Sequence, residues 1–295
     1  MKIFGGQDMV SPIKKILVKH PRQAFINKFK IKKEYAQLNY LGVPDYKKAC
    51  SDYDKFLLLL KSFDMEVQLL LEDRNTTIDS IYTHDPCIVC DKGIILCNMG
   101  KEGRVNEPLA LKKYFESINI PILGKIENPG LLEGGDVVWI DKKTLAIGEG
   151  YRSNIHGIKQ LKSILGELIE ELIVVPLPHW NGKNDCLHLM SNLSPINHNL
   201  FLVYPRLLPV SFLQYLINRG IELIEVPDSE YESMGCNVLT VEPKKVIMVN
   251  GNPKTKSRLE SRGVHVFTYD GSEISLKGAG GPTCLTKPFL RATSY

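Results

Sequence analysis

The sequence predicts an α/β fold built from a repeated unit of strand, strand, helix and strand. Short apolar runs occur in pairs joined by turn residues, as at 137–140 and 144–147 around Asp141-Lys142-Lys143. Each pair is followed by a segment with helical spacing and then by one more apolar run. A period of this size is typical of supersecondary units that bury their core against their neighbours.

Length and composition are those of a globular protein with a large core. The chain has 295 residues, of which 43% are hydrophobic and 24% are charged. Its 37 basic and 33 acidic residues are mixed along the chain, so the net charge of +4 forms no basic stripe that would suit nucleic acid. We therefore interpret residues 1–295 as one domain with no nucleic-acid partner.

The predicted elements follow one another in the order of the repeat. A strand at 16–21 comes first, and the charged, proline-interrupted stretch 20–44 is interpreted as a loop or lid whose mobility is left open. A helix at 45–63 and a strand at 67–71 follow. The predicted hairpins cover 88–96, 137–147, 187–204 and 238–249. The helical segments cover 107–117, 153–168, 210–217 and 255–261, and the strands after them cover 120–123, 172–175, 221–224 and 264–267.

One residue with a functional side chain precedes the first strand of each unit at nearly regular spacing. Asp85, Asp136, His188, Asn237 and Cys284 are separated by 51, 52, 49 and 47 residues. If the units close around an axis, these side chains converge on one central site. An open solenoid would instead spread them along a face, and the spacing alone leaves both arrangements open.

Cys284 lies in a loop that can present a single side chain. Three glycines and a proline precede it in the segment 278–285, which allows turns that other residues would resist. An inert thiol is the alternative, because buried cysteines commonly pack as small apolar residues. We predict that Cys284 is a nucleophile.

The other cysteines and the apolar runs indicate the compartment. Seven cysteines form no even disulfide framework, and no apolar run approaches the ~18 residues needed to span a bilayer, so we expect a cytoplasmic protein with no membrane partner. Cys87 and Cys90 fall within a predicted strand, where residues three apart face opposite sides. We therefore predict no metal site and no cofactor.

A thiol and a histidine can perform nucleophilic catalysis, and the nearby carboxylates indicate the substrate. Asp85 and Glu133 would repel a developing oxyanion, but they would bind a cation. A planar guanidinium offers a fork of N–H donors that carboxylates accept in pairs. The sequence therefore predicts a small-molecule guanidino substrate.

Taken together, the ordered motifs resemble those of the guanidino-group-modifying pentein superfamily. They are Asp85-Pro86 before a strand, Glu133-Gly134-Gly135-Asp136, His188 in the third hairpin, and Gly280-Gly281-Pro282-Thr283-Cys284. Within that superfamily the chain is most similar to the dimethylarginine dimethylaminohydrolases. The resemblance implies a five-bladed, pseudo-symmetric α/β propeller of ββαβ units, with a site that needs neither metal nor cofactor.

The resemblance also implies roles for individual residues. Cys284 would be the nucleophile, His188 the general acid and base, and Asp85 and Glu133 the carboxylates that bind the guanidinium. The implied substrate-binding residues are Asp79 for the α-amino group, Arg152 and Arg104 for the α-carboxylate, and Asp136.

Two positions depart from the related deiminases. Met190 stands where arginine deiminases and amidinotransferases have an acid, and His84 where deiminases have arginine. Because a missing acceptor would leave N–H groups of an unsubstituted guanidinium unpaired, we expect hydrolysis of a methylated arginine to citrulline and an amine through a thiouronium intermediate. Hydrolysis of unsubstituted arginine, amidino transfer and a non-catalytic binding role are the alternatives, and a homodimer is left open.

The carboxylates also predict the resting state of the nucleophile. Negative charge near Cys284 should raise its pKa above the ordinary thiol value of about 8.5, and a bound guanidinium should lower it again. A Cys–His ion pair formed at rest is the alternative that the sequence leaves open.

Overall fold

The computed structural model describes residues 3–292, which contain fifteen β-strands and eight α-helices. The strands are β1 Ile13–Val18, β2 Glu66–Leu69, β3 Cys87–Cys90, β4 Gly93–Leu96, β5 Ile122–Lys125, β6 Val137–Trp139, β7 Thr144–Glu149, β8 Glu171–Pro176, β9 Leu193–Asn197, β10 Leu200–Val203, β11 Glu222–Glu225, β12 Leu239–Glu242, β13 Lys245–Val249, β14 His265–Tyr269 and β15 Thr286–Arg291. The helices are α1 Pro21–Ala24, α2 Lys28–Glu34, α3 Tyr46–Lys61, α4 Glu107–Ser117, α5 Ile155–Leu165, α6 Leu189–Asn192, α7 Val210–Asn218 and α8 Pro253–Glu260.

The strands of the described chain form five sheets of three strands each. In each sheet the central strand is antiparallel to one neighbour and parallel to the other, as β4 is to β3 and β5. The parallel pair requires a crossover connection, and α4 supplies it between β4 and β5. This is the strand, strand, helix, strand unit that the sequence predicts.

One sheet is assembled from the two ends of the described chain. Strand β15 pairs antiparallel with β1, with Thr286 opposite Val18 and Pro288 opposite Ile16, and β1 pairs parallel with β2. The turn that holds Cys284 therefore leads into a strand that belongs to the same unit as β1, β2 and α3. The first and last segments complete the fifth unit.

Five buried clusters of apolar side chains join the five sheets in a cycle. The cluster around Leu17, Phe115 and Phe289 lies between the β15-β1-β2 sheet and the β3-β4-β5 sheet. Three more clusters join the following sheets in chain order, and the fifth joins the β12-β13-β14 sheet back to β1 and α3. Because every sheet packs against two neighbours, the units form a closed ring. The five-bladed propeller implied by the resemblance is confirmed, and the open solenoid is wrong.

Two segments differ from the sequence-based expectation. The stretch 20–44 was predicted to be a loop, but it contains α1 and α2, because His20 and Asn27 accept hydrogen bonds from the first backbone N–H groups of these helices. Residues 187–192 were predicted to be strand, but α6 begins after His188. The Asp136 carboxylate accepts from Leu189 N, and Ser191 Oγ accepts from His188 N, which caps this short helix.

Other sequence-based expectations can be compared with the described residues. Cys87 and Cys90 lie on β3 and are both buried. A search of residues 3–292 finds no helix with the length and apolar character required to cross a membrane.

Strand β15 closes the ring of units, so we expect a large loss of stability when its buried aromatic side chain, Phe289, is removed. Phe289 is 1% exposed and packs edge-on against Phe115, with ring centroids 5.8 Å apart. We expect Phe289→Ala to lower the free energy of unfolding by about 3–5 kcal/mol in denaturant titrations. The control is Phe29→Ala, because Phe29 is 73% exposed and its loss should change the free energy by less than about 0.5 kcal/mol. Equal effects of the two substitutions would contradict the closed packing.

Candidate active site

The five regularly spaced residues lie at corresponding places in the five units. Asp85, Asp136, Asn237 and Cys284 each stand within two residues of the first strand of their sheet, and His188 stands directly before α6, which leads into β9. Hydrogen bonds connect these positions, because Gly135 N donates to Asp85 and Leu189 N, next to His188, donates to Asp136. Asn237 Nδ2 donates to Cys284 Sγ at 3.3 Å, and His84 N donates to Cys284 O at 3.2 Å. The predicted convergence is confirmed.

The glycine at 135 allows three of these units to approach closely. Its backbone N–H donates to Asp85 Oδ1 at 3.0 Å. A Cβ at this position would lie 2.6 Å from His188 Nδ1 and 2.9 Å from Asp85 Oδ1, closer than real side chains come. Only glycine therefore lets His188 and Asp85 face the same point.

Glu133 is a fully buried carboxylate with partners from several parts of the chain. Its Oε1 accepts from the backbone N–H groups of Gly100 at 2.9 Å and Lys101 at 3.1 Å. Its Oε2 lies 2.7 Å from His188 Nε2 and 3.2 Å from Arg152 Nη1. Burial alone would raise the pKa of Glu133, but the hydrogen bond from His188 and the charge of Arg152 lower it to about 2. Glu133 is therefore ionised at neutral pH.

The imidazole of His188 lies between two acceptors. Nε2 contacts Glu133, and Nδ1 lies 3.8 Å from Cys186 Sγ. Burial disfavours the charged ring, but the charges of Cys186, Asp136 and Asp85 raise the pKa of His188 well above its ordinary value. His188 is therefore an imidazolium at rest, with an N–H toward each acceptor.

Cys186 is a second thiol in this site, and the sequence analysis did not identify it. Burial opposes its ionisation, but the neighbouring charges of His188 and Arg152 lower the pKa of Cys186 below the ordinary thiol value. The sequence signal that could have found it is its position two residues before His188. His188 therefore favours the thiolate form of Cys186 more than that of the predicted nucleophile, whose pKa is raised.

Cys284 has the opposite environment. Burial is the largest cause of its pKa shift, and the charge of Asp85 is the next. Together they raise the pKa of Cys284 to about 12, although His188 and Asn237 act to lower it. The raised pKa predicted from the sequence agrees with this direction. At neutral pH Cys284 is a thiol.

Asp85 belongs to a buried ionic network. Its Oδ2 lies 2.5 Å from Arg104 Nη1, and Arg104 also donates to both carboxylate oxygens of Glu107 and to Tyr82 O. Burial opposes ionisation of Asp85, but the charge of Arg104 holds its pKa well below the ordinary value. The sequence analysis assigned Arg104 to a substrate carboxylate, whereas the structure places its donors on Asp85 and Glu107. The sequence-based prediction did not include Glu107. Its position three residues after Arg104, at the start of a helical segment, indicates an ion pair between the two side chains.

Asp136 also faces protein groups. Oδ1 accepts from Leu189 N at 3.0 Å, and Oδ2 accepts from Ser153 Oγ at 2.6 Å. Burial raises the pKa of Asp136 to about 6. These contacts fix the backbone beside His188, so the structure associates Asp136 with positioning the histidine, whereas the sequence analysis assigned it to the substrate.

Arg152 lines a cavity next to Glu133, which we call the mouth, although Asp79, Asp85, Glu133, His188 and Cys284 are not among its lining residues. The mouth is a cavity of about 540 Å³, lined by Gln37, Leu38, Asn39, Gly100, Lys101, Glu102, Gly103, Tyr151, Arg152, Lys183 and Asn184. Arg152 Nη2 donates to Asp185 O at 3.3 Å, and Asp79 Oδ2 lies 2.6 Å from Lys101 Nζ. Segment 20–44 thus forms part of the rim through Leu38 and Asn39.

The two residues that depart from the deiminase pattern lie elsewhere. His84 and Met190 both line a small internal cavity of about 50 Å³, together with Trp139 and Thr283. Burial lowers the pKa of His84 to about 3, and its Nδ1 contacts Thr286 O at 3.1 Å. Neither residue lines the mouth, so the expectation of a methylated arginine, which rests on these two departures, gains no support from their positions.

Three potential metal ligands lie close together in the site. Asp85, Glu133 and His188 each place one ligand atom within 4.8 Å of the others. The same side chains are already engaged, Asp85 by Arg104 and Glu133 by Arg152 and His188. A metal ion would have to displace these contacts, and the metal-free site stays a prediction.

The unequal pKa values of the two thiols predict which one reacts first with a neutral alkylating reagent. At neutral pH, iodoacetamide should modify Cys186 faster than Cys284, because only the thiolate attacks. Peptide mapping by mass spectrometry during the reaction would measure both rates. In Cys186→Ser the rapid phase of alkylation should disappear. The matched control is Cys50→Ser, which should retain that phase. A fast phase on Cys284 in Cys186→Ser would contradict this assignment.

Comparison with known proteins gives the relatives of this chain. Residues 21–291 match the sequence model of the family described as N,N dimethylarginine dimethylhydrolase, eukaryotic. The N(G),N(G)-dimethylarginine dimethylaminohydrolase of Pseudomonas aeruginosa is 29% identical over 251 residues, which cover 85% of this chain and 92% of that protein. A solved structure of a dimethylarginine dimethylaminohydrolase from Pseudomonas aeruginosa, a cysteine-to-serine mutant complexed with citrulline, has a TM-score of 0.76 at 25% identity, covering 94% of this chain and all of that one.

A more distant structure shares the fold. The amidinotransferase SxtG of Microseira wollei has a TM-score of 0.78 at 15% identity, covering 99% of this chain and 98% of that one. At this identity the likeness shows the shared fold alone, and the match over residues 21–291 identifies the family. The chain belongs to the dimethylarginine dimethylaminohydrolase family.

Proposed function

We propose that this protein hydrolyses a methylated arginine to citrulline and the corresponding amine, with Cys284 as the nucleophile. The observation that carries the proposal is the convergence of a neutral thiol, an imidazolium and two ionised carboxylates on one buried point. The family match over residues 21–291 supports the reaction class.

The charges of the site suit a guanidinium. Asp85 and Glu133 are both ionised, and Asp85 accepts only from Arg104 and Gly135 among the described residues, which leaves lone pairs for substrate N–H groups. Arg104 and Glu107 hold Asp85 from behind, so it can accept a bidentate fork without moving. The bound guanidinium would place a positive charge beside Cys284.

That positive charge activates the nucleophile. It offsets the effect of Asp85 and lowers the pKa of Cys284, so the thiol proton leaves to solvent as the substrate binds. The thiolate then attacks the central guanidino carbon and forms an S–C bond, giving a tetrahedral adduct. His188, which is protonated at rest, donates its proton to the departing nitrogen, and the C–N bond breaks.

The second half of the reaction reverses the role of His188. The neutral imidazole takes a proton from water as its oxygen attacks the thiouronium carbon. The S–C bond then breaks as the hydroxyl proton of this adduct passes to the departing sulfur, which releases the ureido product and returns the thiol. Glu133 holds the ring in place through both steps by its 2.7 Å contact with Nε2.

Turnover is tested by a colorimetric ureido assay on arginine, the methylarginines, agmatine and guanidino acids. We expect product from a methylarginine without added metal or cofactor, and none from Cys284→Ser, because the S–C bond cannot form at serine in this site. Asn27→Ser, in which a helix-capping side chain is replaced by another good cap, is the control that should retain activity. Product from unsubstituted arginine alone would favour a deiminase, and no product from any compound would favour a binding protein.

Arg152 should select for the substrate α-carboxylate. Since lysine cannot form a bidentate pair, Arg152→Lys should raise KM for methylarginine by at least about tenfold more than for its decarboxylated analogue. Arg152 also contacts Glu133, so both substrates will lose some turnover, and the ratio of the two KM changes is the informative quantity. Equal changes in KM would mean that Arg152 acts only through Glu133.

A further inference from the structure

Lys101 places an ammonium group where a substrate ammonium is expected. Its Nζ lies 2.6 Å from Asp79 Oδ2 and donates to Leu38 O at 2.7 Å. Asp79 is 2% exposed, and within residues 3–292 it forms an ion pair with Lys101 alone. Asp79 is the residue that the family resemblance assigns to the substrate α-amino group. Its charge is therefore already balanced by the protein itself.

The backbone of Lys101 ties this ammonium to the guanidinium site. Lys101 N and Gly100 N both donate to Glu133 Oε1, at 3.1 and 2.9 Å. The side chain extends from this fixed point to Asp79, and 18% of its surface is exposed at the mouth. The Nζ group is thus held by a carboxylate and a carbonyl, the set of acceptors that would suit a primary ammonium of a ligand.

The remaining groups of the mouth favour a carboxylate. Arg152 and Lys183 line the same cavity as Lys101, and Glu102 is the only acidic residue among its lining residues in the described chain. With Asp79 paired to Lys101, the mouth offers cations for a substrate carboxylate. The Asp79 carboxylate oxygens are buried and accept no hydrogen bond among the described residues, so the charge of Lys101, 2.6 Å from Oδ2, is what compensates them.

We propose that Lys101 allows this enzyme to bind guanidino acids that lack an α-amino group, because Lys101 supplies the ammonium that Asp79 would otherwise take from the substrate. The substrate class is then a guanidino or N-methylguanidino group joined by an alkyl chain to a carboxylate, with the α-amino group dispensable. This inference rests on the proposed function for the location of the guanidinium.

The physical reason is the cost of an unpaired buried charge. In a site without Lys101, a ligand lacking the ammonium would leave the Asp79 carboxylate buried and unpaired, which weakens binding by at least about 100-fold. With Lys101 present, that ligand leaves the existing pair intact. An amino acid ligand must instead displace Nζ from Leu38 O and Asp79 Oδ2 and so exchange one ammonium for another beside the same carboxylate, which brings little net gain.

Binding measurements on the Cys284→Ser protein test this without turnover. The probes are N-methyl-L-arginine and its desamino analogue, 5-(N-methylguanidino)pentanoic acid, with Kd measured by isothermal titration calorimetry. With Lys101 present, we expect the two Kd values to agree within about tenfold. In Lys101→Met the desamino analogue should bind at least about 100-fold more weakly than the amino acid, because Asp79 is then unpaired.

Two further variants keep the test decisive. Lys183→Met removes the other mouth lysine and should leave the ratio of the two Kd values unchanged. The double variant Asp79→Asn with Lys101→Met removes both charges, which avoids an unpaired carboxylate that could prevent folding, and it should restore a ratio within about tenfold.

The outcomes separate this inference from the proposed function. If the desamino analogue binds at least about 100-fold more weakly even with Lys101 present, or if neither probe binds, the inference is wrong. Suppose that the two Kd values agree within about tenfold with Lys101 present and differ by at least about 100-fold in Lys101→Met, but the ureido assay yields no product. The inference then holds and the proposed hydrolytic function is wrong. If product forms but the ratio is the same in Lys101→Met, only the inference fails.

Discussion

The buried charge of Glu133 is the constraint on which the rest of the site depends. An isolated carboxylate with no solvent exposure would be strongly destabilising, so it must gather compensating donors from the protein. It draws them from the backbone after β4, from Arg152 after β7 and from His188 before β9. Satisfying one carboxylate thereby brings three of the five units to fixed positions around the point that Cys284 faces.

The surroundings of the two thiols shift their pKa values in opposite directions. The positive charges of His188 and Arg152 lower the pKa of Cys186, whereas burial and the charge of Asp85 raise the pKa of Cys284, which stays neutral. The imidazolium thus keeps its proton for the leaving nitrogen, since Cys284 does not compete for it in the resting site. A bound cationic substrate lowers the pKa of Cys284, which couples activation of the thiol to the presence of the group it attacks.

Much of this arrangement was predictable from sequence, and the reason is the repeat. Because Asp85, Asp136, His188, Asn237 and Cys284 occupy equivalent places in successive units, closure of the ring necessarily brings them together. The contacts that were missed are long-range contacts between side chains with no periodic signal, such as Lys101 with Asp79. Arg104 and Asp136 were correctly associated with the site, but their partners Glu107 and Ser153 show that they hold other residues. The strand predicted at 187–192 was wrong, because the capping contacts of α6 come from Asp136 in another unit.

The central claim is that Cys284 is neutral at rest and becomes a thiolate only beside a guanidinium-like charge. The most direct measurement compares the pH dependence of Cys284 alkylation by iodoacetamide and by a cationic haloacetamidine, both in Cys186→Ser so that the second thiol does not react. We expect slow reaction with iodoacetamide at neutral pH and a midpoint above about 9, with rapid reaction of the amidine at the same neutral pH. An iodoacetamide midpoint at about 6 or below would show that Cys284 is already a thiolate at rest, and substrate-dependent activation would be wrong.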